Sequence, residues 1–257
     1  MLATRVIPCL LLRNGALVKT IRFRNASYVG DPVNTVRIYN EKEVDELVVL
    51  DISATPANKR PQFNLIEEIA SECFMPFTYG GGIRNVEDAK TLFSLGVEKL
   101  IINTCAVENP KLVSDLAERF GNQSVVVSID VKKKMFGGYE VYTHGGRTRT
   151  GLAPERYAEQ ITKCGAGELL VTAINNDGVM QGYDLELVKR VTGAIDVPVI
   201  ASGGAGSLEH FRQAVEIGGA SAVAAGSMVV YQGPHRAVLI NFPTPQELTQ
   251  YLPNRAA

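Results

Sequence analysis

The sequence has no tryptophan, only three histidines and only four cysteines in 257 residues. The cysteines stand singly, without a C-x-x-C pair, and no histidine lies near one of them at the spacing of metal ligands. This pattern argues against a disulfide framework, a zinc ribbon or a redox motif. We therefore predict reduced, mostly buried thiols, no bound metal and no cofactor. The thiols are those of Cys9, Cys73, Cys105 and Cys164.

A long apolar run and an excess of one charge are also missing. No apolar stretch reaches the roughly 18 residues of a membrane span, and the first residues lack the apolar core of a signal peptide. The formal net charge is −1 and the isoelectric point is near 6.3, which gives no sign of binding to nucleic acid or to an anionic membrane. These features predict a cytoplasmic protein without a nucleic-acid or membrane partner.

A glycine-rich turn occurs twice in the chain. The segment 76–89 runs from an apolar strand through three glycines into a helical pattern, and 198–209 repeats it 122 positions later. Adjacent glycines let backbone N–H groups approach a ligand, and a following helix N-terminus favours an anion. The repeat predicts two phosphate sites, and hence a small molecule with a phosphate at each end. The glycines expected to bind are Gly81, Gly82, Gly203 and Gly204.

Eight apolar, β-branched runs of strand length alternate with helical patterns. The predicted strands are 5–12, 46–51, 77–80, 99–102, 124–130, 168–172, 199–202 and 222–225. Internal similarity pairs Glu46 with Glu168 and Gly96 with Gly218. The sequence thus predicts an α/β fold, a (β/α)₈ TIM barrel with an internal twofold half-barrel repeat. We expect a single barrel domain at 1–257, with half-barrels at about 1–122 and 123–257.

Local signals mark helix starts and two insertions. Proline at the first helical position predicts starts at Asp31-Pro32, Asn109-Pro110 and Ala153-Pro154. The capping box Thr244-Pro245-Gln246-Glu247 predicts another. The segment 132–146 is typical of a hairpin, and 231–243 of a long loop, both on the face that binds substrate. We interpret the lysine run 132–134 as solvated rather than as a phosphate clamp.

Three carboxylates follow barrel strands. Asp51 and Asp130 end the second and fifth strands, and Asp177 follows the sixth. Carboxylates at these positions can act in the barrel mouth as general acid or base or bind hydroxyl groups, or they can cap their own loops. We predict a catalytic role for Asp130. Lys19 is expected on a loop that could close over the mouth, although an isolated lysine there is usually solvated.

Small or hydroxyl-bearing residues follow the fourth and eighth strands. Asn103-Thr104 stands after the fourth strand, and Gly226-Ser227 after the eighth. Because the C-terminal ends of barrel strands share one face, these residues are predicted to complete the phosphate sites with the glycine turns.

Charged residues stand where four strands begin, at the opposite end of the predicted barrel. Inward positions there normally belong to the packed floor. Two positive and two negative groups would form a neutral ring, which either plugs the barrel or acts as a gate. Buried ion pairs stabilise less well than apolar packing, which favours the gate. The four residues are Arg5, Glu46, Lys99 and Glu168.

These motifs resemble those of the cyclase subunit of imidazole glycerol phosphate synthase, over residues 1 to about 228. The resemblance implies that a glutaminase subunit docks on the N-terminal face of the barrel, with Glu98 near the contact. It also implies that ammonia passes a four-residue charged gate and meets a ligand with two phosphates. The gate positions match the charged ring. The other matched positions are Lys19, Asp51, Gly82, Asn103, Asp130, Asp177, Gly203, Gly204 and the segment 142–146.

One catalytic position departs from the family. The cyclases have aspartates on strand one and strand five, whereas this chain has Asp130 on strand five but Leu11 on strand one. Leucine cannot exchange a proton, so acid–base cyclisation lacks one partner, and whether the chain is itself an enzyme is left open. Thr20 and Asn175-Asn176 also differ from the family pattern.

This combination, with the tail 231–239, resembles divergent homologues found with surface-polysaccharide genes. That resemblance implies a synthase-like subunit of a glutamine amidotransferase, which channels ammonia to a third, sugar-modifying protein. The reaction would convert an acetamido sugar into an acetamidino sugar in O-antigen or lipopolysaccharide biosynthesis. Two alternatives stay open: a true cyclase, a lyase of histidine biosynthesis, and a non-catalytic scaffold that activates a glutaminase.

Overall fold

Eight parallel strands form a closed barrel in this computed structural model, which describes residues 3–252. Each barrel strand pairs with the next one in sequence, and the eighth pairs with the first. The predicted (β/α)₈ TIM barrel is confirmed; the predicted outer limits at 1 and 257 lie outside the described residues. The strands are β1 (Arg5–Arg13), β2 (Leu47–Asp51), β3 (Phe77–Gly80), β4 (Lys99–Ile102), β5 (Val125–Lys133), β6 (Glu168–Ala173), β7 (Val199–Ser202) and β8 (Ala222–Ala225).

Helices surround the barrel. They are α1 (Pro32–Glu41), α2 (Phe63–Ser71), α3 (Val86–Ser94), α4 (Thr104–Glu108), α5 (Lys111–Phe120), α6 (Pro154–Lys163), α7 (Leu185–Thr192), α8 (Leu208–Glu216) and α9 (Pro245–Tyr251), with 3₁₀ turns at Asn122–Ser124 and Ser227–Val229. The predicted proline starts of α1 and α6 and the capping box of α9 are confirmed. Helix α5 begins one residue later than predicted, because Pro110 takes the N-cap position.

Side-chain alternation along the strands separates two apolar layers. In β1, Val6 and Leu10 belong to the layer between strands and helices, whereas Ile7 and Cys9 face the inside of the barrel, with Leu11 packed against them. Apolar side chains fill the middle of the barrel, so the inward-facing charged groups are left to its two ends. The interior residues are Ile7, Cys9, Val48, Ile101, Val126, Leu170, Ile200, Ala222 and Ala224.

The twofold repeat is present, with one inserted residue. Strands β3 and β7 begin 122 positions apart, but β4 and β8 begin 123 apart. Gly96 has φ 99° and Gly219 has φ 73°, whereas Gly218 does not have a positive φ. The conformational partner of Gly96 is therefore Gly219, and the predicted pairing with Gly218 is wrong by one residue.

Three hairpins stand on the C-terminal face. The predicted hairpin after Asp130 is confirmed, because β5 pairs antiparallel with the strand Tyr139–Thr143; we call it the β5 hairpin. Tyr139–Thr143 also pairs with the two-residue strand Thr148–Arg149. A front hairpin, Ala16–Ile21 with Arg24–Gly30, was not predicted and extends β1. The expected long loop 231–243 contains a tail hairpin, Tyr231–Gln232 with Ala237–Val238.

The four cysteines are free thiols, as predicted. Cys9 is buried, however, whereas the other three are half-buried. No helix within residues 3–252 is long and apolar enough to cross a membrane.

Candidate active-site mouth and charged ring

Asp130 lies on the inward face of β5, at the C-terminal end of the barrel. Strand alternation places Val126, Ser128 and Asp130 on the same side, and Val126 belongs to the barrel interior. Asp130 is buried, and Ser128 Oγ donates a 3.2 Å hydrogen bond to its Oδ1. Burial raises the pKa of Asp130 to about 7, against the opposing effect of this hydrogen bond. A carboxyl group that titrates near neutrality is suited to proton transfer.

Leu11 occupies the corresponding position in the first half-barrel. Leu11 pairs with Leu50 on β2, and Asp130 pairs with Thr172 on β6. Leu50 and Thr172 are 122 positions apart, which is the offset of the repeat. The half-buried Leu11 packs against the apolar interior. The mouth therefore presents a carboxyl group in one half and an isobutyl group at the equivalent position in the other.

Lys19 is buried in a strand of the front hairpin, which corrects the expectation that it lies on a loop. Its Nζ donates to the Cys9 carbonyl oxygen, and a Cβ on Gly226 would lie 2.7 Å from that Nζ. The neighbouring Thr20 Oγ1 donates a 3.1 Å hydrogen bond to Asp177 Oδ2. Burial lowers the pKa of Lys19 and raises that of Asp177, although Lys19 attracts the Asp177 carboxylate. Lys19 thus brings a cation beside the turn after β8.

Asp51 caps its own loop. Its Oδ1 accepts hydrogen bonds from Ser53 N at 2.8 Å, Ser53 Oγ at 2.6 Å and Ala54 N at 3.1 Å. Its Oδ2 accepts one from Gln62 Nε2 at 3.3 Å. These hydrogen bonds agree with the alternative that Asp51 caps its own loop. A ligand-binding role for Asp51 stays a prediction.

Backbone packing alone requires glycine at these turns, whether or not a ligand binds there. Gly82 has φ 72°, and a Cβ there would lie 2.8 Å from the Lys59 carbonyl oxygen. Gly204 has φ 117°, and a Cβ there would lie 2.0 Å from the Gly182 carbonyl oxygen. A side chain at either position would collide with the neighbouring loop. The glycines of these turns therefore do not by themselves identify a ligand.

Strand pairing places each glycine turn beside its predicted partner. Because β3 pairs with β4, the turn with Gly81 and Gly82 neighbours Asn103-Thr104. Because β7 pairs with β8, the turn with Gly203 and Gly204 neighbours Gly226-Ser227. The two sets predicted to bind phosphate are thus each contiguous, and the binding itself stays a prediction.

Asn103 and Thr104 are also tied into the mouth. Asn103 Nδ2 donates a 2.9 Å hydrogen bond to the Ser128 carbonyl oxygen. Thr104 Oγ1 accepts a 3.0 Å hydrogen bond from the backbone N–H of His144, and its own hydroxyl donates to Asn103 Oδ1 at 3.3 Å. The turn after β4 is therefore joined to β5 and to its hairpin.

Two hairpins meet the loop after β6 and cover the mouth. From the front hairpin, the Arg22 backbone N–H donates to the Asp177 carbonyl at 2.8 Å, and Arg22 Nε donates to the Asn175 carbonyl at 3.0 Å. From the β5 hairpin, the Lys133 backbone N–H donates to Asn175 Oδ1 at 3.0 Å. Lys132 Nζ donates to the Gly146 carbonyl at 2.5 Å, so this member of the lysine run is not simply solvated.

A ring of ion pairs lies at the N-terminal end of the barrel. Arg5 donates through Nη1 to Glu46 and through Nη2 to Glu168. Lys99 Nζ lies 3.2 Å from Glu46 Oε2 and 3.1 Å from Glu168 Oε2. Thr78 Oγ1 donates a further 2.8 Å hydrogen bond to Glu46 Oε1. The ring is closed and neutral, and its role as a gate stays a prediction.

Electrostatics within the ring favour the charged state of Arg5. Burial disfavours that charge, but the attraction of Glu168 and then Glu46 outweighs burial and raises the pKa of Arg5. Glu98, the residue predicted at a partner contact, is exposed directly before Lys99. It therefore stands on the surface at the ring end of the barrel.

Residues 5–235 match the model of the family described as Histidine biosynthesis protein. The chain belongs to this family. It is 51% identical over 248 residues to HisF of Leptospira interrogans, which covers 96% of this chain and 98% of that protein. It is 48% identical over 248 residues to hisF2 of Pseudomonas aeruginosa, which covers 96% and 99%. Both relatives are described as a "Putative imidazole glycerol phosphate synthase subunit". The "Imidazole glycerol phosphate synthase subunit HisF" of Alkaliphilus metalliredigens is 44% identical over 231 residues, covering 90% and 92%.

Three residues of the site were missed at the sequence level. Ser128 lies two positions before Asp130, so strand alternation was a usable signal for it. Thr78 likewise follows from alternation, because it pairs with Lys99 across β3 and β4. Arg236, which contacts the loop after β6, has no comparable signal because it lies in the turn of the tail hairpin rather than on a barrel strand.

Proposed function

We propose that this chain is the barrel subunit of a glutamine amidotransferase, and that it conducts ammonia to an acceptor rather than cyclising a nucleotide. The observation that carries the proposal is Leu11 at the position equivalent to Asp130. A cyclisation that moves protons on both sides of the mouth needs a second positioned group, and leucine offers none. The remaining carboxyl, Asp130, can still bind or orient a ligand.

The proposed ammonia path runs from the charged ring to the mouth. A glutaminase partner would dock at the ring end, where Glu98 is exposed. The apolar interior disfavours ammonium and tolerates neutral ammonia, since transferring an ion into an apolar medium is far more costly than transferring a neutral molecule. The ring closes the entrance, so passage requires Lys99 or Arg5 to release a glutamate.

The proposed acceptor is an acetamido sugar, which a third protein would convert to an acetamidino sugar for a surface polysaccharide. Support comes from the resemblance carried by Leu11 and the tail 231–239. The proposed ligand of the mouth is a phosphorylated small molecule held by the two glycine turns. Asn103-Thr104 would complete one site, and Gly226-Ser227 with Lys19 the other.

A cyclase assay of the purified chain tests the proposal. The chain would be supplied with an ammonium salt and with the two-phosphate nucleotide substrate of the cyclases. We expect turnover far below that of an ordinary cyclase, and robust turnover would contradict the proposal. In the same preparation, Lys99→Ala should alter the coupling to a co-purified glutaminase while the barrel stays folded.

The second candidate is a true cyclase of histidine biosynthesis. Two observations favour it: the name of the Alkaliphilus metalliredigens relative and the near-neutral pKa of Asp130. In that case Asp130 would act alone or with a substitute group. If neither cyclisation nor ammonia transfer is found but the glutaminase is activated, the chain is a scaffold.

A further inference from the structure

The exposed large apolar side chains are confined to the two ends of the barrel. Among residues 3–252, they lie on or beside the hairpins around the mouth, or in loops at the ring end. Those at the ring end are Phe74 and Ile217. A concentration of exposed apolar groups typically marks a binding surface, whereas isolated ones do not. Those around the mouth are Ile21, Tyr28, Met135, Phe136, Val238 and Leu239.

Met135 and Phe136 form the tip of the β5 hairpin and are almost fully exposed, at 91% and 98%. Backbone hydrogen bonds close this turn, from Lys134 N to the Gly138 carbonyl at 2.9 Å and from Gly137 N to the Lys134 carbonyl at 3.3 Å. The space around Gly137 and Gly138 is open, so the tip stands clear of the rest of the described chain. An ordered turn that holds two large apolar side chains in water is suited to insertion into a partner, because their burial there is favourable.

A second apolar patch lies between the front hairpin and the tail hairpin. Ile21, Tyr28 and Val238 line one cavity of about 290 Å³, so the two hairpins present these side chains together. The apolar groups of the mouth face thus come from separate hairpins around a concave opening. A flat bilayer would not fill such a surface, whereas a protein of complementary shape would.

On the three hairpins, which the structure describes in full, every exposed formal charge is positive. The segments 16–30 and 231–239 contain no aspartate or glutamate, and the two carboxylates of 130–149, Asp130 and Glu140, are buried. The net charge of −1 therefore conceals a basic face. Two such faces would repel each other, which argues against a symmetric dimer through the mouth, whereas an acidic surface would be attracted. The exposed cations are Arg22, Arg24, Lys133, Lys134, Arg147 and Arg149.

We propose that the mouth face binds a protein whose surface carries carboxylates around an apolar pocket, with Phe136 inserted into that pocket. The neighbouring Lys133 and Lys134 meet the carboxylates of this partner. The identity of the partner as the ammonia acceptor rests on the proposed function, because ammonia leaves the barrel at the mouth. The surface and its charge do not depend on ammonia conduction.

Photo-cross-linking in cells that carry the native gene tests this surface. Phe136→p-benzoylphenylalanine places a photoreactive aromatic group at the hairpin tip, and mass spectrometry of the adduct identifies the molecule that it contacts. We expect one discrete adduct, with an acidic protein. The matched control is Phe74→p-benzoylphenylalanine, because Phe74 is 85% exposed at the opposite end of the barrel. The control should not yield this adduct.

Titration of the identified protein, once purified, with variants of the chain measures the contribution of the tip. Phe136→Ala should weaken binding roughly 10–100-fold, as for an aromatic anchor, whereas Phe74→Ala should leave the Kd unchanged. Lys133→Ser combined with Lys134→Ser should slow association several-fold and reduce its dependence on salt. All these side chains are exposed, so the variants should fold as the wild type does.

Three kinds of adduct at position 136 would overturn the inference: one with lipid, one with a second copy of the chain, and one with a protein that lacks an acidic surface. The absence of any adduct, or an equal Kd for Phe136→Ala and the wild type, would also overturn it. An acidic partner that binds as expected but does not consume ammonia would support the surface and count against ammonia delivery.

Discussion

Leu11 and Asp130 stand at equivalent positions of the two half-barrels, through their pairings with Leu50 and Thr172. The equivalence continues beyond the barrel. Leu11 also pairs antiparallel with Val18 of the front hairpin, and Asp130 pairs antiparallel with Tyr142 of the β5 hairpin. The two halves therefore share a backbone plan that includes a hairpin after the first strand of each half, and at the position of Leu11 and Asp130 they differ in the ability to exchange a proton.

The raised pKa of Asp130 makes stability depend on pH. The folded protein holds the proton up to about pH 7, whereas the unfolded chain releases it near pH 4. The folded state thus binds more protons in this interval, and the free energy of unfolding falls as pH rises from about 4 to 7. Asp130→Asn does not ionise. In urea unfolding, the free energy of unfolding of the variant should rise relative to that of the wild type by roughly 1–4 kcal/mol between about pH 4 and pH 8.

Asp115→Asn is the matched control for this experiment. Asp115 is half-buried on α5, where it pairs with Lys111 four residues away. Its substitution should not change the free energy of unfolding, relative to the wild type, in a way that grows with pH. A difference between Asp130→Asn and the wild type that stays constant across the range would show that Asp130 is ionised throughout.

The charged ring predicts unequal effects of its two cations. Arg5 donates to both buried glutamates, so Arg5→Ala leaves two carboxylates with Lys99 as their remaining cation. Removing one partner of a buried ion pair costs about 3–5 kcal/mol. Lys99→Ala leaves both glutamates paired with Arg5, and should cost only about 1–2 kcal/mol. Urea unfolding with the exposed Lys111→Ala as control measures both, and losses no larger than that of the control would contradict the ring.

Most of the barrel was predictable from the sequence, because its strands are short apolar runs between clear turns. The predicted ranges 77–80, 99–102, 199–202 and 222–225 agree with the observed strands. The front hairpin was missed because the apolar run of β1 continues almost directly into Ala16–Ile21, around a turn at Asn14-Gly15. The half-barrel repeat held the missing signal, since the second half has a hairpin at the same place.

The site was predictable at the level of residues but less so at the level of contacts. The residues of the ring were identified because charge is unusual at the inward start of a barrel strand. The burial of Lys19 depends on its contact with the Cys9 carbonyl of the neighbouring strand, and such a contact leaves no local pattern in composition or spacing. The loop capping by Asp51 is local, through Ser53 and Ala54, so the sequence could offer it as an alternative but could not decide between it and ligand binding.

Gly204 should tolerate substitution poorly even without a ligand. Its φ of 117° is unfavourable for a side chain, and a Cβ would lie 2.0 Å from the Gly182 carbonyl oxygen. Gly204→Ala is expected to cost more than the roughly 1–3 kcal/mol of backbone strain alone. Gly137→Ala, in the β5 hairpin with φ 90° and open space around it, isolates that strain. Thermal unfolding compares the two variants, and equal decreases in Tm would count against a close approach between Gly204 and the Gly182 carbonyl oxygen.

The last prediction concerns Leu11 and separates a conduit from a cyclase. Positioned acid–base groups typically contribute about 10²–10⁴-fold to rate, so the wild type should cyclise the family's nucleotide substrate far more slowly than an ordinary cyclase. Leu11→Asp restores a carboxyl opposite Asp130 and should recover a trace of activity. Full recovery is not expected, because Thr20 and Asn175-Asn176 also differ and a misplacement of about 1 Å can cost roughly 10²-fold.

Leu11→Asn is the matched control, because asparagine has the size and polarity of aspartate but exchanges no proton. Turnover should appear in Leu11→Asp, stay absent in Leu11→Asn, and disappear again when Asp130→Asn is added to Leu11→Asp. Equal turnover in the two Leu11 variants would mean that polarity rather than proton transfer is at work. Robust turnover by the wild type would mean that Asp130 suffices and that the chain is a cyclase.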